Sequence, residues 1–216
     1  MAFPIDYEAD YVEERSRLTT FFRLFRVIPQ WLFGIILGIA GFFTIIAAWF
    51  AMVFTGNYPE GLYRFNSGLL RWGTRLNAYT LLVTDAYPPF SIDEENSYPV
   101  RVQIAPAKAE YSRLHALFRI FTMIPSYVVS YVLLLVSEVV AIAAWFMIVF
   151  TGKTSDGIQN LINMGIAYYA KFSGYAFLLH EEWFPPIGED ASSNGALPAG
   201  GPTAQAPTSG AKSSAE

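Results

Sequence analysis

Two blocks of residues limit what this chain can become more than any other feature. Residues 27–54 carry no charged side chain, and residues 122–150 carry one, Glu138. At 1.5 Å of rise per residue, about 20 apolar residues cross the hydrocarbon core of a bilayer, so each block is long enough to span it with some tilt. A core helix of a soluble protein is usually shorter and shows a polar stripe. The segment ahead of residue 27 mixes acids with bases, and the block after it exceeds the apolar part of a cleaved signal, so the first block is expected to stay in the mature chain. Composition agrees, with 53% of the 216 residues hydrophobic and only 15% charged. Cysteine is absent, which excludes disulfides, thiolate metal sites and cysteine nucleophiles.

The chain also repeats itself. An offset of 96 aligns residues 17–85 with 113–181 without a gap, with twenty identities, and duplication is the simplest explanation. Arg17, Leu18, Phe22, Arg23, Phe25, Ile28 and Pro29 return as Arg113, Leu114, Phe118, Arg119, Phe121, Ile124 and Pro125. The Ala47-Ala48-Trp49-Phe50 and Val53-Phe54-Thr55-Gly56 runs return at 143–146 and 149–152, and Tyr87-Pro88-Pro89 returns as Phe184-Pro185-Pro186. This pattern, with Arg71-Trp72 in the first copy, resembles an uncharacterised bacterial membrane-protein family catalogued as a domain of unknown function. The second copy departs from it, reading Ala167-Tyr168 in place of Arg71-Trp72. What the resemblance implies is a membrane class, a bacterial inner (cytoplasmic) membrane and no activity that can be carried over.

Each unit opens with a basic, aromatic approach segment. Arg17, Arg23, Arg26, Arg113 and Arg119 suit contact with anionic lipid headgroups while the phenylalanines dip below them. Pro29 and Pro125 are placed in a first helical turn, where proline sacrifices no hydrogen bond. The apolar helix follows, with Trp49 and Trp145 as interfacial anchors, and Gly56 and Gly152 stop it. A second helix, over about 62–83 and 158–179, is less hydrophobic, with Arg64, Arg71 and Arg75 on one stripe. It reads either as a second crossing or as an amphipathic helix in the interface. A direct repeat keeps its orientation only if each unit crosses an even number of times, and two crossings per unit collect nearly all basic residues on one side. That favours two parallel hairpins with cytoplasmic termini, although three arginines in a crossing helix are expensive.

The expected fold is therefore an all-α integral membrane protein of two tandem helical hairpins, residues 1–97 and 98–187, followed by a disordered Ala/Gly/Pro/Ser-rich tail over 188–216. Between the units, residues 100–104 alternate in a way that suits an extended segment. Where the copies differ, Arg71 faces Ala167 and Glu138 faces Phe42, and a pair between Glu138 and Arg71 or Arg75 would compensate two intramembrane charges. Gly34 and Gly38 form a G-x-x-x-G suited to close helix packing.

No catalytic motif, phosphate-binding loop or nucleotide fingerprint occurs, and neither His115 nor His180 has a ligand cluster around it. No metal, cofactor or nucleic-acid partner is expected. The function these features suit is non-enzymatic: an accessory, scaffolding or bilayer-organising membrane subunit that works with lipids, a membrane-protein partner or a second copy of itself. A small transporter or channel using Arg71, Arg75 and Glu138 is the alternative.

Overall fold

The computed structural model describes residues 3–183, so the expected disordered tail lies outside the described residues. Elements follow in the order β1 (Ile5–Ala9), α1 (Arg17–Thr55), α2 (Glu60–Thr80), β2 (Val100–Ile104), α3 (Arg113–Thr151) and α4 (Asp156–Ala176). The extended segment at 100–104 forms as read, and β1 pairs with it antiparallel, Tyr7 opposite Val102. The fold is thus mostly helical rather than all-α.

Ser16 and Ser112 start the long helices by accepting from the backbone N–H of Thr19 and His115. The approach segments are continuous with the apolar helices, so α1 and α3 each run 39 residues, about 58 Å. Pro29 and Pro125 accordingly lie inside these helices and not in a first turn. Gly56 and Gly152 end them at φ 76° and 75°, where the left-handed backbone favours glycine.

Each unit folds as a hairpin, with α2 returning along α1 and α4 along α3. Down the first one Thr44 reaches Asn66, Gln30 reaches Trp72 and Arg23 reaches the Tyr79 carbonyl. Both second helices end in a Schellman pattern whose left-handed residue is a leucine, Leu82 at φ 67° and Leu178 at φ 66°. A leucine there costs about 1–2 kcal/mol relative to ordinary backbone, so something must hold it.

The two hairpins are antiparallel, which corrects the parallel arrangement expected from the repeat. Tyr111 N–H donates to Gly56 O and Arg15 N–H to Gly152 O, both at 2.8 Å. Arg113 reaches Thr55 O while Arg17 reaches Thr151 O. Trp49 donates its indole N–H to Ala116 O and Trp145 donates to Thr20 O, so these tryptophans pin the opposite unit and are not free interfacial anchors. Each of these contacts has its mate 96 positions away, the signature of an internal two-fold axis. An offset repeat does not fix this, because the linker of residues 81–112 is long enough to return the chain to the far end of α1.

Three layers result. α1 and α3 lie against each other and against their own partners, α2 and α4 form the middle, and among the described residues the ribbon backbone runs against α2 and α4 only. Ile5, Tyr7, Val100 and Val102 point into the core, whereas Asp6, Glu8, Arg101 and Gln103 take the alternate, less buried positions. β1 packs on α4 and β2 on α2, so each unit's strand covers the other unit and the boundary expected near residue 97 is crossed by the ribbon. Sandwiched in this way, α2 is largely buried between α1, α4 and the ribbon.

Candidate functional site: the outer face of α1 and α3

Buried positions on α1 recur at spacings of three, four or seven residues and are mostly polar or small: Thr20, Arg23, Gln30, Gly41 and Ala48 among them. On α3 they include Ala116, Arg119, Ser126, Ser130, Ser137 and Ala144. Large apolar side chains point the other way. Leu24 is 75% exposed, Phe25 70%, Trp31 62% and Phe54 71%, and α3 repeats the pattern. A core helix of a soluble protein buries its apolar face, yet only 22% of the most hydropathic stretch of each long helix is buried. Polar residues inward and apolar residues outward is the distribution expected of a helix whose solvent is hydrocarbon.

The arginines expected at headgroups divide into two sets. Arg17, Arg26 and Arg113 are exposed, Arg26 lying over the Tyr87 ring at 5.5 Å. Arg23 and Arg119 are only 3% exposed and turn inward. Arg23 donates to the carbonyls of Tyr79 and Thr84 and pairs with Asp85. Arg119 donates to Tyr175 O at 2.8 Å and His180 O at 2.6 Å. Each also stacks over the tyrosine it binds, with the guanidinium 4.5 Å and 4.3 Å from the ring centre. These two residues clamp the leucine-containing ends of α2 and α4, which explains why that backbone persists. Sequence reasoning missed this because a basic residue next to phenylalanines reads the same whether it faces lipid or carbonyls; its spacing of three from Thr20, four from Val27 and seven from Gln30 was the available signal.

Glu138 does not meet Arg71 or Arg75. Arg71 lies 3.6 Å from Glu94 and donates to Val102 O, and Arg75 donates to Asp93 O, all on the ribbon side of α2. Glu138 is exposed on α3 and lines a groove of about 390 Å³ with Leu24, Val27, Ile142 and Phe146. The linker, whose acids the pairing argument left out, supplies the partners of both arginines.

The glycine pair also separates. A Cβ on Gly34 would stand 2.7 Å from the Trp72 ring, whereas one on Gly38 meets nothing within 4 Å. Close approach occurs also at Gly41, under Leu69, and at Gly165, under Ser137. Positions 41 and 137 are equivalent, as are 69 and 165, so the small residue has changed helices between the copies.

His180, only 1% exposed, donates its Nε2–H to the Lys171 carbonyl, 3.0 Å away, with Nδ1 3.3 Å from Glu182. Burial pushes its pKa down from 6.5 to about 4, against the opposing pull of the Lys171 carbonyl and Glu182 and with help from Arg119 and Lys108. Because the folded chain holds this imidazole neutral, its contribution is complete above pH 6.5 and is lost as pH falls from 6.5 towards 4. Thermal melts across that window should show a loss of up to about 3 kcal/mol. The His180→Gln variant should flatten the profile between those pH values; an unchanged profile would assign the loss to other groups.

A family model described as a domain of unknown function, DUF4389, matches residues 17–91 and again 113–187. The chain belongs to the DUF4389 family. Its two matched segments are the two hairpins, and the ribbon strands fall outside both. No curated protein and no solved structure matches this DUF4389 chain.

Proposed function

We propose that this DUF4389 protein is a membrane protein whose α1–α3 face is buried in lipid, and that it acts there as an accessory, scaffolding or bilayer-organising subunit. The observation that carries the reading is the reversed polarity of α1 and α3, which leaves an apolar surface far larger than the patches ordinary soluble monomers expose. Its polar groups support a structural role: Arg23, Arg71, Arg75 and Arg119 are each engaged by carbonyls or carboxylates of the same chain. Exposed Arg17, Arg26 and Arg113 beside that face support a preference for anionic headgroups. The resemblance to a bacterial family supports the cytoplasmic membrane as its location. A transporter using Arg71, Arg75 and Glu138 draws less support, since Glu138 lies apart from both arginines.

Flotation with preformed vesicles of phosphatidylcholine and phosphatidylglycerol tests the reading. The chain should rise with the vesicles. Ile39→Asp and Phe43→Asp, both on outward positions, should each weaken partition by about 2.5–3.5 kcal/mol, roughly a hundredfold, while leaving helix content unchanged. Unfolding by those variants would show that the face is packed against protein and would overturn the proposal.

A further inference from the structure

We infer that the protein lies within a single leaflet, with α1 and α3 parallel to the bilayer plane and the β1–β2 ribbon in water. The inference rests on the lipid-facing reading above and adds an orientation to it.

Length is the first argument. Exposed large apolar side chains run from Leu18 to Phe54 on α1 and from Leu114 to Phe150 on α3, thirty-six residue steps in each case. That is about 54 Å of helix bearing exposed apolar side chains, with Arg26 and Glu138 the exposed charges among them, against a hydrocarbon core of about 30 Å. Upright helices would need a tilt of about 56° to bury it, outside the 0–40° that spanning helices adopt.

The path of the polar chain is the second. Asp85 sits on Arg23, near the start of α1, and Tyr111 is bonded to Gly56 at its other end. Between them the linker runs back over α2 and carries Asp93, Glu94, Glu95, Arg101, Lys108 and Glu110. The ribbon meets the second helices along their middles, Arg71 holding Val102 O and the Tyr7 hydroxyl donating to Asn163. Standing α1 and α3 upright would draw this linker, together with Asp6, Glu8 and Asp10, through the hydrocarbon centre, where each charge carries a penalty. The outer edges of β1 and β2 would also lose their water there, which an open two-stranded sheet cannot tolerate. Laid flat, the same molecule places every one of these groups on the aqueous side.

Charge on the long helices agrees with the flat seating. Arg17 and Arg113 are exposed at opposite ends of the α1–α3 pair, at the level of headgroups. Glu138 is one helical step, about 100°, from buried Ser137 and so occupies the flank of α3, while Val139, a further step on, sits on the crest.

Gly61 and Gly157 provide the test, because they are equivalent positions at opposite ends of the α1–α3 pair and a Cβ on either meets nothing within 4 Å. The full chain has no cysteine, so Gly61→Cys and Gly157→Cys each introduce a single reporter. A membrane-impermeant maleimide is applied to inside-out vesicles and to intact spheroplasts. Flat seating predicts that both positions react in the same preparation and that labelling of both is lost in the other. Reaction of one position in each preparation would mean that α1 and α3 cross, and overturns the orientation while leaving lipid contact intact. A chain that stays in the supernatant as a soluble oligomer would mean that a second copy covers the apolar face, and overturns the lipid reading as well.

Discussion

Replacing Arg23 with methionine is expected to destabilise the protein by about 3–5 kcal/mol, the usual result of removing one partner from a buried charged network. The substitution strands the Tyr79 and Thr84 carbonyls and leaves Asp85 without its cation. Asp85 also accepts from Ser16 N–H at the start of α1, so the loss reaches the α1 N-terminus. Arg119→Met should act similarly on α4 through Tyr175 O and His180 O. Lysine should recover only part of the loss at either site, since a single ammonium cannot reproduce a planar fork holding two carbonyls at once. Denaturant titration in mild detergent reads the effect. If methionine at either position proved neutral, Arg23 and Arg119 would be surface groups and the inward clamp would be wrong.

A second large effect is expected at Gly165. Its Cβ would fall within contact distance of Ser137 Oγ and 2.8 Å from the Leu133 carbonyl, which is backbone and cannot swing aside. Gly165→Ala should therefore cost about 1–3 kcal/mol by overpacking. Gly38→Ala, on an open surface of α1, should instead stabilise by up to about 1 kcal/mol through helix propensity alone. Adding Ser137→Gly to Gly165→Ala should restore part of the loss, because the first unit already pairs a glycine at 41 with a larger residue at 69. Strict additivity of the two substitutions would show that α3 and α4 do not touch there.

In the sequence Gly34 and Gly38 carry the packing motif, whereas the structure leaves Gly38 open and packs Gly165 tightly. Spacing reports which residues share a helix face but not which face meets a neighbour. The same limit produced the Glu138 pairing: Glu138 and Arg71 are charges lacking a counterpart in the other copy, and the true partners of Arg71 and Arg75, Glu94 and the Asp93 carbonyl, lie in a linker with no periodicity to place it. β1 escaped notice for a related reason. Residues 5–9 do alternate, but five residues are too short a run to stand by themselves, and a lone strand acquires meaning from the partner that pairs with it.

Sequence alone determined that the chain is a tandem duplication, that each copy has one long apolar helix and a shorter polar one, and that Gly56 and Gly152 end the long helices. These are local or self-referential properties, set by periodicity, capping chemistry and identity between copies. Tertiary structure decided how the copies face one another, because a linker of residues 81–112 permits either a parallel or an antiparallel return and only the end-to-end hydrogen bonds select the latter. It also decided which side of each helix is inside. A stripe of Thr20, Arg23 and Gln30 on α1, or of Ser126, Ser130 and Ser137 on α3, reads as surface to any rule that equates polarity with water, yet it lies inside the fold because the large apolar side chains of both helices point the other way.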